Sequence, residues 1–371
     1  MSSSEIELRI ISQLLDWDEE KKATEFKWLQ LMSRFKYDAY SDFVAGARFT
    51  GSLIQWLRNF DKEDQCYAYE FMRSHLLYVS AVEMRRLVEA FYPRVMEPAL
   101  IKRAAAAAGK KPYEIMANPD SSEDFRCFLK GALIVGMSEG ARLDSLRRAN
   151  MGVLTHERML PSVEMDHRKW KSVFKKTFEN SFPGESGFSS VFLIDDFVGS
   201  GTTFFRKEDG GNQAGKLAKL MKNLPDEDEK WRLANEVVFY VHHYIGSRDA
   251  MAKLYGMKDT AEEELKKRFR KKIRIEFTFG WTLPEEIKVD MTEPKLKALV
   301  EKYYSRDIET DHNTAGGGKS KDIRWGYKDC GLTLVLEHNT PNNSLPLLWA
   351  YSEGTLGRKM RPLFRRRQRH G

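Results

Sequence analysis

The run Val191-Phe192-Leu193-Ile194-Asp195-Asp196-Phe197-Val198-Gly199-Ser200-Gly201-Thr202-Thr203 admits few backbones. Four consecutive apolar residues read as a strand buried on both faces of a parallel sheet. Two adjacent carboxylates end it, a loop of glycines and hydroxyls follows, and a helix start comes next. Gly199 and Gly201 let the chain turn tightly and approach an anion. The N–H groups from Val198 to Thr203, with the hydroxyls of Ser200, Thr202 and Thr203, can converge on one phosphate. Asp195 and Asp196 then stand a ribose length away as acceptors for vicinal hydroxyls. The order is that of a sugar-phosphate site. A plainer alternative stays open, in which a buried strand ends in a turn whose acids cap the next helix.

A strand followed by two acids also suits a nucleotide hydrolase, which would need GxxxxGK[ST] elsewhere. The nearest stretch is Asn313-Thr314-Ala315-Gly316-Gly317-Gly318-Lys319-Ser320, but asparagine holds the first glycine position. The preceding residues 304–311 are polar, and no helical periodicity follows before Trp325. It reads as a glycine-rich loop.

The other loops at strand ends extend the picture. Ala132-Leu133-Ile134-Val135 reads as a strand, and Gly136-Met137-Ser138-Glu139-Gly140-Ala141-Arg142 turns from it into a helix. Amides freed by Gly136 and Gly140, with Ser138 and Arg142 close by, suit a diphosphate. An ordinary strand-to-helix turn with surface arginines remains equally open. Further on, residues 337–349 include His338, Asn339, Asn342, Asn343 and Trp349, with prolines at 341 and 346. Their dense amides and flat indole suit a base or sugar, unless Trp349 belongs to the core. No HExxH or Cys-His spacing accompanies His242, His243, His312 or His338, so zinc is not expected.

At 371 residues the chain suits two domains, or one α/β domain with a helical extension. Residues 1–117 read as an α-helical region, with apolar residues at helical spacing such as Trp28, Leu29, Leu31, Met32 and Phe35, and no convincing strand. Residues 118–356 alternate strands with helices. The expected strands are 132–135, 191–194, 237–241, 273–277 and 332–336, and the expected helices 215–224, 248–269 and 294–304. That alternation implies a doubly wound parallel sheet with the phosphate loop at its C-terminal edge.

Charge is concentrated at one end. The net charge is 61 − 54 = +7, and residues 357–371 hold Arg358, Lys359, Arg361, Arg365, Arg366, Arg367 and Arg369 with no acid. These residues read as a basic tail, either solvated or docked on a nucleic acid or an acidic protein partner. No apolar run approaches the ~18 residues that span a membrane. Cys66, Cys127 and Cys330 are odd in number and far apart, and residues 1–7 lack the pattern of a secretory signal, so a cytoplasmic setting is expected.

The 191–203 run resembles the 5-phosphoribosyl 1-diphosphate (PRPP) signature of the type I phosphoribosyltransferases. Phe192 is bulkier than usual there, and Gly199 stands where that family usually has Thr, Ser, Ala or Val. The 136–142 turn, the segment Met159-Leu160-Pro161-Ser162-Val163-Glu164 and the 337–349 stretch look similar to phosphoribosyltransferase-like domains of bacterial antiphage systems, including retron-linked effectors. The resemblance covers roughly residues 118–350. It implies binding of PRPP or a related nucleotide with Mg²⁺, action at the anomeric carbon, and a role in antiphage defence. In these terms Asp195 and Asp196 are the catalytic and metal candidates, Val198 to Thr203 the phosphate loop, Gly136 to Arg142 the diphosphate side, and residues 338–349 the base hood. The rival is a non-catalytic sensor or scaffold of the same fold.

Overall fold

A computed structural model describes residues 3–41, 43, 46–117, 119–162, 167–178, 187–207, 212–223, 233–314 and 322–367. Val163, Glu164, Leu224, Arg369 and residues 315–320 of the glycine-rich stretch lie outside them. Among the described residues the strands are β1 (Leu77–Val79), β2 (Ala132–Gly136), β3 (Met159–Leu160), β4 (Phe188–Val198), β5 (Arg206–Lys207), β6 (Gln213–Ala214), β7 (Leu233–Gly246), β8 (Lys272–Thr282) and β9 (Leu334–Leu336). The chain forms two compact units, one of Met1–Met84 with Pro284–Gly371, the other of Arg85–Leu283. This is not the consecutive division into 1–117, 118–356 and 357–371 expected from the sequence.

The second unit carries the parallel sheet, in the order β3-β2-β4-β7-β8 with every pair parallel. Numbered within the sheet, that order is 2-1-3-4-5, a doubly wound arrangement whose direction of winding reverses between β2 and β4. Four expected strands fall on β2, β4, β7 and β8. The fifth does not: β9 pairs with β1 in a separate two-stranded sheet of the first unit, and β3 takes the edge of the main sheet. An apolar run such as 332–336 fixes a strand but not the sheet it joins.

One face of the main sheet, with Leu193, Val241 and Ile275, buries Leu217 and Leu220 from helix Lys216–Asn223 and Leu254, Leu265 and Phe269 from helix Arg248–Phe269. On the other face Phe192 stacks on Tyr240 with ring centres 4.7 Å apart, and Phe91 meets Phe192 edge-on at 5.9 Å. The unusual bulk of Phe192 is thus taken up by two aromatic neighbours, an arrangement worth about 0.5–1.5 kcal/mol per pair beyond area burial.

The first unit is built from helices Ser3–Leu14, Glu19–Phe35, Phe49–Leu57, Lys62–His75 and Pro294–Tyr303 around a large aromatic core. Strand β1 was not anticipated, because Tyr78 and Val79 continue the helical spacing of the preceding residues. Residues 358–367 are not a solvated tail. Met360, Leu363 and Phe364 are buried in this core, the Leu363 and Phe364 N–H groups each donate to the Leu348 carbonyl at 3.0 Å, and the Arg358 guanidinium grips Asp61 at 3.1 and 3.2 Å.

Candidate functional site

The site forms where β2 and β4 end side by side. Gly136 pairs with Ile194, and the Met137 N–H donates to the Ile194 carbonyl at 2.7 Å. Only glycine fits at 136, since a Cβ would lie 2.7 Å from the Pro161 carbonyl oxygen. The chain then turns through Ser138, whose Oγ accepts the Gly140 N–H at 3.2 Å and donates to Asp195 Oδ1. Gly140 lies directly against the Asp196 carboxyl, leaving no space for any side chain. The two loops inferred separately from the sequence therefore share their acids: one Ser138–Asp195 bond and one Gly140–Asp196 contact. Arg142 closes the turn in the left-handed region at φ +50°.

Strand alternation sends the two carboxylates to opposite faces of the sheet. Asp195 is buried, beside its register partner His243, and its Oδ2 is held by the Lys216 ammonium. Burial pushes the Asp195 carboxyl above the usual carboxylate range against the pull of Lys216, and Asp196 adds to the rise. Asp196 is half-buried and accepts the Phe197 N–H at 2.9 Å. On its face Tyr244 donates its hydroxyl to the Ala141 carbonyl at 3.0 Å, tying β7 to the 136–142 turn. Burial drives that phenol up, partly offset by the nearby Arg142 charge.

The phosphate-loop residues follow directly. Ser247 anchors the base of the loop, its N–H donating to the Val198 carbonyl at 3.0 Å and its Oγ to the Gly199 carbonyl at 2.6 Å. The Ser200 and Thr202 hydroxyls meet at 2.9 Å. Gly201 adopts φ +74°, with Ala250 and Lys253 so near that a Cβ would sit 3.1 Å from each. Among the described residues no acceptor meets the N–H groups of Gly199, Ser200, Gly201 or Thr203, which is how an anion cradle presents itself. The far end is pinned to the next helix, where the Lys216 N–H donates to the Thr203 carbonyl at 3.0 Å.

Lys216 and Ser247 were missed from the sequence. A lysine opening a helix after a glycine carries no sign of a partner 21 residues earlier, and the serine looks like any helix cap. The proposed hood residues, by contrast, belong to the first unit and are engaged within it. Trp349 is buried with Ile308, Ile323 and Ala350, its indole N–H donating to the Ser344 carbonyl at 2.7 Å. Asn339 Oδ1 accepts the Arg367 N–H at 3.0 Å, Asn342 donates to the Asn313 carbonyl at 2.8 Å, and Asn343 donates to the Tyr327 carbonyl at 3.2 Å. His338 bonds Glu337 at 2.7 Å. The three amides are thus engaged by backbone groups of their own unit, that of Asn343 in a buried bond.

His242 and His243 are both buried in β7. His242 Nδ1 meets the Thr278 hydroxyl at 3.0 Å, and burial pushes its pKa down from 6.5 to about 3. The imidazole is neutral when folded and takes up a proton on unfolding below about pH 6.5, so stability is lost as pH falls from there towards 3. From pH 6.5 to 5 the loss from this group is about 1.5 × 1.36, or roughly 2 kcal/mol. Urea unfolding at pH 7 and pH 5 checks this: His242→Phe should remove about that much of the difference, and an unchanged difference would show that His242 is not the titrating group.

A family model described as PRTase-CE matches residues 53–366. No match was found among curated proteins or among solved structures.

Proposed function

The chain belongs to the PRTase-CE family and carries a phosphoribosyltransferase-like domain, and from that premise we propose that it binds PRPP or a related ribosyl phosphate between the ends of β2 and β4 and acts at the anomeric carbon. The observation that carries the reading is the convergence at one switch point of the loop amides of Gly199, Ser200, Gly201 and Thr203, which meet no acceptor among the described residues, with two carboxylates and a second glycine turn. The 5-phosphate takes the loop amides and the Ser200, Thr202 and Thr203 hydroxyls. Asp196, half-exposed, accepts from the ribose hydroxyls, and the 136–142 turn faces the diphosphate.

In the reaction the bond from C1 to the diphosphate oxygen breaks, its electron pair leaving with diphosphate, and an acceptor's lone pair forms the new bond to C1. Positive charge develops on the ribose, and the fixed charge of Asp196 opposes it at no reorganisation cost. Asp195 acts differently. With both oxygens engaged by Ser138 and Lys216, it holds the 136–142 turn and the start of helix Lys216–Asn223 against the site. Magnesium fits through Asp196, since this ion takes one or two carboxylates and completes its shell with substrate oxygens and water. When bound it neutralises diphosphate charge. Asp195 is not free to join it.

The same engagement of Asp195 favours a second reading, a non-catalytic sensor of a sugar phosphate or nucleotide. A part in antiphage defence fits either. The test is calorimetric titration of ribose 5-phosphate, followed by PRPP with Mg²⁺ while free diphosphate is measured. Binding with diphosphate release supports the transferase, binding without release the sensor, and no binding defeats both.

A further inference from the structure

Lys216 joins the two ends of the phosphate loop. Its backbone N–H donates to the Thr203 carbonyl at 3.0 Å, where the loop finishes, and its ammonium reaches Asp195, just before the loop begins. The backbone end is fixed. Leu217 donates to the Phe204 carbonyl at 2.9 Å, and Gly215 at φ +101° lies so close that a Cβ there would sit 2.7 Å from the Phe204 oxygen and 2.9 Å from the Thr203 oxygen. The ammonium end meets the other turn, because the second oxygen of the Asp195 carboxyl takes the Ser138 hydroxyl. One positive charge therefore stands where the 199–203 loop and the 136–142 turn come together.

Helix stability does not account for a cation here. Lys216 is the first residue of helix Lys216–Asn223, whose first turn holds no acid, and a positive charge at a helix N-terminus works against the helix dipole. The pair with Asp195 does not account for it either. A buried ion pair adds little over a neutral pair of similar volume, although removing one member alone is costly. The Lys216 side chain is 27% exposed and that of Asp195 2%, so the lysine is the outer member of the pair. An ammonium carries three protons, and Asp195 is its one hydrogen-bond acceptor among the described residues.

We infer that Lys216 is a further ligand-binding residue of this site, whose remaining protons take the diphosphate of the ligand and whose charge stands where a second divalent cation would otherwise be needed. The inference rests on the reading of the site as one for a ribosyl phosphate. Asp195, the carboxylate that could have held such an ion, is engaged on both oxygens by Ser138 and Lys216. An ammonium donating to phosphate oxygens makes charge-assisted hydrogen bonds, roughly twice as strong as neutral ones. Asp195 presets its position, so little is lost in ordering a long side chain when the ligand arrives. Recognition of the diphosphate then does not depend on a metal.

The test is calorimetric titration of ribose 5-phosphate and of PRPP, both in EDTA, into the full chain as wild type, as Asp195→Asn, and as Asp195→Asn with Lys216→Met, with thermal melting to confirm folding. Asp195→Asn keeps the ammonium and an acceptor for Ser138, so comparison of the two variants isolates the lysine. Wild type and Asp195→Asn should each bind PRPP at least about tenfold tighter than ribose 5-phosphate, and the double variant should lose most of that preference. A merely structural lysine leaves the same preference in both variants, which would overturn the inference. So would a wild type that binds the two ligands equally in EDTA and prefers PRPP only once Mg²⁺ is added, a result that decides the matter even should a variant fail to fold. Absence of ribose 5-phosphate binding would instead defeat the reading of the site, and the inference with it.

Discussion

Removing residues 358–371 is expected to unfold the first unit. Met360, Leu363 and Phe364 are each no more than 1% exposed. The Phe364 ring centre lies 5.2 Å from Tyr40, 5.6 Å from both Phe49 and Tyr78, and 5.8 Å from Tyr37. Emptying such a site costs about 3–5 kcal/mol for phenylalanine to alanine, a large share of the stability of any domain. The sharper version is therefore Phe364→Ala against Arg365→Gln, the latter exposed and expected within about 0.5 kcal/mol of wild type. Urea unfolding separates them. Equal stability of the two variants would mean that the basic end is a solvated tail after all.

The second large effect is expected at Lys216. Replacing it with methionine leaves the buried Asp195 carboxylate without its cation, which costs about 3–5 kcal/mol for a broken buried pair. Adding Asp195→Asn removes the stranded charge, and the double variant should recover most of the loss because an amide needs only hydrogen bonds there. Such a recovery distinguishes charge compensation from packing: if Lys216→Met and the double variant unfold at the same urea concentration, the lysine acts through its methylene chain. Ribose 5-phosphate binding should weaken in both variants, since the 136–142 turn and the start of helix Lys216–Asn223 lose their common anchor.

The architecture was legible where the chemistry is local. Four or more apolar residues in a row mark a strand buried on both faces, so β2, β4 and β7 were readable, β8 was readable from its alternation Ile273-Arg274-Ile275-Glu276-Phe277, and the loop after β4 from its glycines and hydroxyls. What escaped depends on contacts distant in sequence. Strand β3 has two residues, too few for any period, and β9 has a strand's composition without any mark of the partner β1. The C-terminal core residues hid among arginines, because charge dominates composition while three apolar side chains decide burial. Trp349 and the asparagines around it looked like a ligand surface, since the amides that bind a base also satisfy buried carbonyls. At the site itself, residue types were legible but their division of labour was not. Strand alternation predicts opposite faces for Asp195 and Asp196, yet only the structure shows that Asp195 is buried and held on both oxygens by Ser138 and Lys216 while Asp196 is half-buried.

Ribosyl-phosphate recognition by the 199–203 loop is tested most directly by titrating ribose 5-phosphate into folded wild-type and Gly201→Val chains. A valine at 201 must hold φ near +74° and place its Cβ against Ala250 and Lys253, so the loop shifts and its N–H groups cease to converge. Wild type should bind, and the variant should lose at least about a hundredfold in affinity, or ~2.7 kcal/mol, while melting within a few degrees of wild type. Equal affinity of the two folded chains would contradict a phosphate site in this loop.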